Sequence, residues 1–186
     1  MEAVFQEIGE EVDKIIQQSG EEVLRELQIS SVHPELVKHL GKLKFRTSYG
    51  QNVLEHCLEV AKMSGIIAAE LGLDINLAKR AGLFHDIGKS VEDDGLSHVT
   101  SGIIIAKQYK EPEIVINAIA SHHRNFPADN PYSLIVMAAD TLSAARPGAR
   151  GQQLESYLVR MENLEKLAHE LPQVKKIYAF QAGKEI

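Results

Sequence analysis

Tryptophan is absent from this 186-residue chain, and phenylalanine and tyrosine contribute only five residues each. The interior must therefore be filled by aliphatic side chains. A single cysteine, Cys57, excludes an intrachain disulfide and fits a reducing compartment. No apolar run approaches the ~20 residues that span a bilayer. The opening "MEAVFQEIGEEV" is acidic, unlike a signal peptide. These absences lead to the expectation of a soluble, cytoplasmic chain with no membrane segment. An excess of positive charge is also lacking. The net charge of −6 argues against avid non-specific nucleic-acid binding by the whole surface, while leaving room for a local basic site.

What is present points to one helical domain. Apolar residues make up 44% of the chain, too many for disorder, and its length suits a single core. Residues 1–28 are charged and amphipathic, with a weak spot at Ser19-Gly20. His33-Pro34 marks a helix entry and Gly41 an exit. A long helix is expected from about Ser48 to Leu71, stopped by Gly72, and Asp74 caps the next. "SVEDDGL" (90–96) reads as a polar loop. Further helices are expected at about 97–109, 112–123, 131–145 and 150–170. Only "VKKIYAFQA" (174–182) alternates enough to suggest a strand. The expected fold class is all-α, a helical bundle with a possible short C-terminal strand. Residues 1–45 would be a helical extension and 46–186 the main domain.

Polar residues on apolar faces need an explanation. In "AGLFHDIGKS" (81–90), His85 and Asp86 sit side by side in what reads as an apolar helix. Burying both costs several kcal/mol unless something pairs with them. Helical periodicity places His56 on the stripe of Val53, Val60 and Met63, His122 below Ala118 and Val115, and His123 below Ile119 and Ile116. Asp140 follows Val136 and Met137 inside "LIVMAADTL", and His98 opens a helix. A lone inward histidine is more often a core residue bonded to a carbonyl than a ligand, and a lone Asp140 could pair with Arg146. Taken jointly, five histidines and two aspartates on separate helices point to divalent cations held in a bundle core. The donor set suits manganese, iron, nickel or zinc, with magnesium open if oxygens dominate. His33, His39 and His169 read as surface residues. Cys57 points roughly 100° away from His56 on a helix and reads as a buried thiol.

The order of these residues, His56, then His85-Asp86, then Asp140, resembles the H…HD…D pattern of the HD superfamily of metal-dependent phosphohydrolases. "HDIGK" is similar to its HDIG subgroup. "HPELVKHLGKLKFRTSYGQNVLEH", "KRAGLFHDIGK", "VINAIASHH" and "AADTLSAARPGAR" resemble the HD domain of the ribonuclease Y family, and the similarity runs along the whole chain. Members of that family carry a membrane anchor, a coiled coil and a KH domain ahead of the HD domain, and they continue past the "AGKEI" region. The resemblance therefore implies a piece of a longer protein or a short relative.

The resemblance implies hydrolysis of RNA phosphodiester bonds by metal-activated water. A nucleotide or cyclic-dinucleotide phosphohydrolase is the alternative, and an inactive dimerisation or sensor module the third reading. It further implies two divalent ions. One would be held by His56, His85, Asp86 and Asp140, the other by His98, His122 and His123, with Asp86 bridging. Asp86 and Lys89 would be catalytic, Lys89 meeting a phosphate oxygen or the leaving group. Arg146 and Arg150, and more weakly Arg124, are candidates for substrate phosphate, since arginine forks onto phosphate oxygens. Gly82 and Gly88 are read as points where helices or substrate approach closely. A homodimer is expected by the same resemblance, with the amphipathic segment 154–171 as a possible contact.

Overall fold

The computed structural model describes residues 2–91 and 95–145. Within them the fold is all-α, with seven α-helices and one two-residue hairpin. The helices are α1 (Glu2–Leu27), α2 (Pro34–Lys42), α3 (Val53–Glu70), α4 (Ile75–Phe84), α5 (His98–Gln108), α6 (Glu113–Ser121) and α7 (Pro131–Ala145). The hairpin strands are β1 (Thr47–Ser48) and β2 (Gln51–Asn52). Among the described residues no helix is long and apolar enough to cross a membrane. The expected helix at 150–170 and strand at 174–182 lie outside the described residues, as does the segment 154–171.

Local chemistry sets the boundaries. Asn52 caps α3 by accepting from the backbone N–H groups of Leu54 and Glu55, and Asp74 caps α4 through Asn76 and Leu77. Gly72 ends the α3 region with φ +67, the left-handed conformation that glycine adopts without a steric cost. Pro34 and Pro131 open α2 and α7, where the missing N–H has no intrahelical partner to lose. Leu36, Leu40, Leu43, Val60, Leu83, Phe84, Ile87, Val115 and Ile119 are fully excluded from solvent and join residues of α1 to α7 in one aliphatic core.

Several expectations need correction. α1 runs unbroken through Ser19-Gly20, and Gly41 lies inside α2 instead of ending it. Both sites are small because α1 and α2 touch there: a Cβ on Gly41 would stand 1.8 Å from the Ile16 carbonyl oxygen. The long helix begins at Val53, not near Ser48, because Tyr49 (φ 52) and Gly50 (φ 83) turn the chain into the hairpin Thr47↔Asn52, Ser48↔Gln51. His39 is not a surface residue: its ring is partly buried and its Nδ1 lies 2.8 Å from Ser90 Oγ.

A buried ion pair ties three segments together. Arg80 on α4 donates to both Glu111 carboxylate oxygens at 2.6 Å, and to the carbonyls of Ser30 (3.1 Å) and Ser31 (3.2 Å). The Glu111 side chain is 2% exposed. Removing one partner of such a pair strands a charge in a dry place. Glu111→Ala is therefore expected to cost about 3 kcal/mol, lowering the thermal midpoint by roughly 10 °C. A midpoint within 2 °C of the parent would show that the pair holds nothing.

Candidate metal centre

The site forms where helices end. α3 presents His56 from its second turn. α4 stops at Phe84, so His85 is its C-cap, and Asp86 (φ −106, ψ 15) sits in a bend before the 3₁₀ turn Ile87–Ser90. The expectation of a continuous helix through His85-Asp86 is thus corrected. His98 is the first residue of α5, and His122 is the C-cap of α6. α6 was expected to reach His123 but ends at Ser121, and Arg124 turns left-handed (φ 62) just beyond. α7 carries Asp140.

These seven side chains converge. Neighbouring imidazoles form a file, with ring centroids 5.1 Å apart for His56–His85, 5.2 Å for His85–His122 and 4.1 Å for His122–His123. His98 lies beside His123, Nε2 to Nε2 3.0 Å. Asp86 stands between two groups. Its Oδ2 faces His85 Nε2 (3.5 Å) and His56 Nε2 (3.9 Å), while its Oδ1 faces His98 Nε2 and His122 Nε2, both at 3.6 Å. One metal-sized group is therefore His56, His85 and Asp86, and the other Asp86, His98, His122 and His123. Asp140 joins the first from the side, its Oδ1 3.1 Å from His56 Nε2 and 4.0 Å from His85 Nε2.

The donors fit divalent cations. His85 Nδ1–H donates to the Gly82 carbonyl and His122 Nδ1–H to the Ile119 carbonyl, each at 2.7 Å. Those bonds direct the other ring nitrogen of each at Asp86. His85 Nε2, His122 Nε2 and Asp86 Oδ1 are fully buried and have no hydrogen-bond partner among the described residues. Buried polar atoms are seldom left so, because each costs about 1–3 kcal/mol. Three of them aimed at one another are explained by a cation that accepts their lone pairs. Histidine ligands held by a backbone carbonyl through the opposite nitrogen are the usual arrangement around metals.

Charge follows the same pattern. Burial alone would raise the Asp86 carboxyl, but the charge of His85 and the imidazoles of His122 and His85 that face it, with Lys89 beside them, hold it well below the ordinary value. Asp140, likewise resisted by burial, is brought down to about 2 chiefly by its hydrogen bond to His56. Burial pushes His98 down to about 4 and lowers His123, keeping both rings neutral and able to offer a lone pair near pH 7. Burial works against a charged His85, yet Asp86 outweighs it and raises that ring. Cys57 is fully buried, and burial pushes its thiol well up, so it stays protonated beside the centre.

In metal-free protein these shifts set an acid limit. His98 and Asp140 titrate lower when folded, so each contributes stability that is full above its unfolded pKa and lost as pH falls through its folded value. For His98 that window runs from 6.5 to about 4. For Asp140 it runs from 3.8 to about 2, a shift corresponding to roughly 2 kcal/mol. His85 has the opposite sign: its contribution is present below 6.5 and lost as pH rises through its raised value. With chelator present, the urea midpoint should fall progressively as pH is lowered from 6.5 to 3. A flat profile would contradict this electrostatic arrangement.

Lys89 Nζ meets Asp86 Oδ2 at 2.6 Å. Arg124 is exposed, and its guanidinium makes no hydrogen bond or ion pair among the described residues. Arg146 and Arg150 lie outside the described residues. Gly82 and Gly88 serve helix contact: a Cβ on Gly82 would stand 2.9 Å from Ala61 Cα, and one on Gly88 1.8 Å from the His98 carbonyl oxygen. The sequence reading missed a relay behind His56. Its Nδ1 lies 3.0 Å from Ser143 Oγ, which in turn donates to Glu59 Oε2 at 2.6 Å. Glu59 and Ser143 each follow a candidate ligand by three positions on its own helix, which was the available signal.

Comparison with known proteins bears on this geometry. The family model described as HD domain matches residues 53–145, half of the chain, from the first residue of α3 to the last of α7. The chain belongs to the HD domain family. All seven converging side chains of this HD domain fall inside the matched region. Along its whole length the chain is also similar to curated proteins named ribonuclease Y: 55% identical to that of Acetivibrio thermocellus, 53% to that of Lactobacillus gasseri and 52% to that of Listeria monocytogenes. It covers 100% of itself in each match but only 35–36% of the relative, so it spans about a third of their length. No solved structure matches it.

Proposed function

We propose that this HD domain is a metal-dependent phosphodiesterase that cuts single-stranded RNA internally. The observation that carries the chemistry is Asp86, whose two oxygens face two separate histidine groups while Oδ1 and two imidazole nitrogens lie buried without hydrogen-bond partners among the described residues. RNA as substrate is supported by the name of the relatives that match the whole chain. Single strands suit a site at helix ends better than a duplex, because their bases can splay away.

The residues that would hold two divalent ions are His56, His85, Asp86 and Asp140 on one side, and Asp86, His98, His122 and His123 on the other. Bound there, such ions supply a water of lowered pKa and charge stabilisation for the phosphoryl oxygens. The chain's own residues do the rest. Gly82, Ile119 and the Ser143–Glu59 relay fix three imidazole rings in orientation. Lys89, now on Asp86 Oδ2, is placed to transfer to a phosphate oxygen or to the leaving group. His98 and His123, nearer the surface, form the open side by which a strand enters. Arg124, Arg146 and Arg150 are the remaining candidates for phosphate contact. We assign residues 1–45 as a helical extension of an HD domain over 46–186, working in the cytoplasm as a homodimer.

The test is direct. The Mn²⁺-loaded chain is incubated with an end-labelled single-stranded oligoribonucleotide, and internal fragments are expected. Release of mononucleotides or free phosphate alone would replace the proposal with a nucleotide phosphohydrolase. Bound metal without turnover on any phosphodiester would leave a binding module.

A further inference from the structure

Beside the metal centre lies a cavity of about 340 Å³ that no candidate residue outside the centre explains. One wall is Lys89 and His98, which belong to the centre. Arg46, Thr47 and Ser48, where the chain enters the hairpin, and Ser101 of α5 also line the cavity, with Val53, Val91 and Leu96 as the apolar part. Among the described residues the lining contains two cationic side chains, of which Lys89 is paired with Asp86, three aliphatic hydroxyls and no carboxylate. In a chain of net charge −6, the described part of this lining is cationic through Arg46. Cations and hydroxyl donors facing one space select an anion with several acceptor oxygens.

The wall is built rather than loose. The Arg46 N–H donates to the Leu43 carbonyl at 3.1 Å, and its own carbonyl accepts from Val53 N at 3.0 Å, so its backbone is held between the 3₁₀ turn Leu43–Phe45 and α3. One guanidinium nitrogen, Nη2, donates to the Val91 carbonyl at 3.2 Å. Among the described residues the remaining N–H groups of that fork have no acceptor. The Tyr49-Gly50 turn fixes where Thr47 and Ser48 stand. Among the described residues the side-chain hydroxyls of Thr47, Ser48 and Ser101 take part in no hydrogen bond. Unused donors around an open space are what a ligand subsite offers before it is filled. The volume lies at the low end of the ~300–1,000 Å³ of small-molecule sites, enough for one nucleotide unit of a strand and too little for a duplex.

We propose that this cavity is the subsite for the phosphodiester one nucleotide away from the bond being cut. Arg46 supplies the charge and Thr47, Ser48 and Ser101 supply neutral donors. The assignment rests on the phosphodiesterase reading above, and it adds what that reading lacks: the side on which the strand is gripped. It makes the enzyme prefer a chain of nucleotides over an isolated phosphodiester, because only a chain reaches both the centre and the cavity.

The experiment has two arms on the metal-loaded protein. In the first, anisotropy of a labelled single-stranded oligoribonucleotide is followed against salt for the parent, Arg46→Ala, Arg46→Lys and Ser48→Ala. Arg46→Ala should weaken binding about tenfold and reduce the salt slope by about one. Arg46→Lys should recover the slope but only part of the affinity, since lysine lacks the fork. Ser48→Ala should weaken binding without changing the slope. In the second arm, kcat/KM is compared for the oligonucleotide and for bis(p-nitrophenyl) phosphate, which has no neighbouring phosphate. The loss in Arg46→Ala should be about tenfold greater on the oligonucleotide and should lie in KM. Parent-like binding and salt slope in Arg46→Ala, or equal losses on the two substrates, would overturn the subsite. If the parent cleaves neither substrate, the phosphodiesterase reading is the one that fails, and the anisotropy arm still decides whether the cavity grips a nucleic-acid backbone.

Discussion

Asp86→Asn is expected to lose both metal equivalents at once and to reduce phosphodiester cleavage by more than about 100-fold. Removing even an outer hydrogen-bond partner of a metal ligand costs 10–100-fold, and Asp86 is placed to be a direct ligand on both sides. An amide is isosteric with the carboxylate, so the packing around this 2%-exposed residue is kept while the charge is removed. The comparison that gives the result its meaning is Asp140→Asn. Among the described residues Asp140 pairs with His56 and His85, both of the first group, so its loss should empty one position and spare the other. Metal analysis after dialysis, read beside the cleavage rate, separates the two patterns. Should Asp86→Asn keep two equivalents and the parent rate, the assignment of the centre is wrong.

Gly88→Ala should be severely damaging although it alters no polar group. Gly88 lies in the 3₁₀ turn that follows Asp86, and the new methyl would stand 1.8 Å from the His98 carbonyl oxygen and 2.5 Å from Gly102 N. Both are backbone atoms, which cannot rotate away as a side-chain tip can. Overpacking ordinarily costs about 1–3 kcal/mol. A clash of main chain on main chain should exceed that range, at roughly 4 kcal/mol, with the thermal midpoint falling by more than about 10 °C. The turn carries Lys89 and adjoins Asp86, and α5 begins with His98. Separating them should therefore weaken metal binding on the His98 side beyond the general loss of stability. Gly9→Ala on the exposed part of α1 is the control, since nothing lies within 4 Å of its Cβ position. It should raise the midpoint slightly, as alanine does in an open helix. Equal midpoints for the two variants would refute the close approach.

Much of this was readable because the site is made from helices. A period of 3.6 residues fixes which side chains share a face, so His56 and Asp140 could be assigned to apolar stripes without knowing what lay opposite. Caps obey local chemistry, and Asp74 and Gly72 act where the sequence put them. The failures share a physical cause, which is that tertiary contact overrides a local signal. Gly41 looks like a helix stop but is a point of contact with Ile16. "LFHDIG" keeps an apolar rhythm through His85, yet α4 ends at Phe84 so that Asp86 can face both ways. Two-residue strands are too short to alternate, and a Tyr-Gly turn lacks the Asn-Gly signature of hairpins. The Arg80–Glu111 pair joins residues on separate segments, which no periodicity reveals.

The position of the centre ties its occupancy to the order in which the protein loosens. His56, His85, His98, His122 and Asp140 come from five different helices or their ends, and none owns a complete ligand set. Undocking of α7 alone, with every other helix in place, already withdraws Asp140 and the serine that steadies His56. Cation exchange should therefore keep pace with the fleeting detachment of single helices and run far ahead of global unfolding. Amide protons of α3 and α7 would slow together when the ions arrive, reporting a molecule stitched shut at its centre instead of stiffened at one edge.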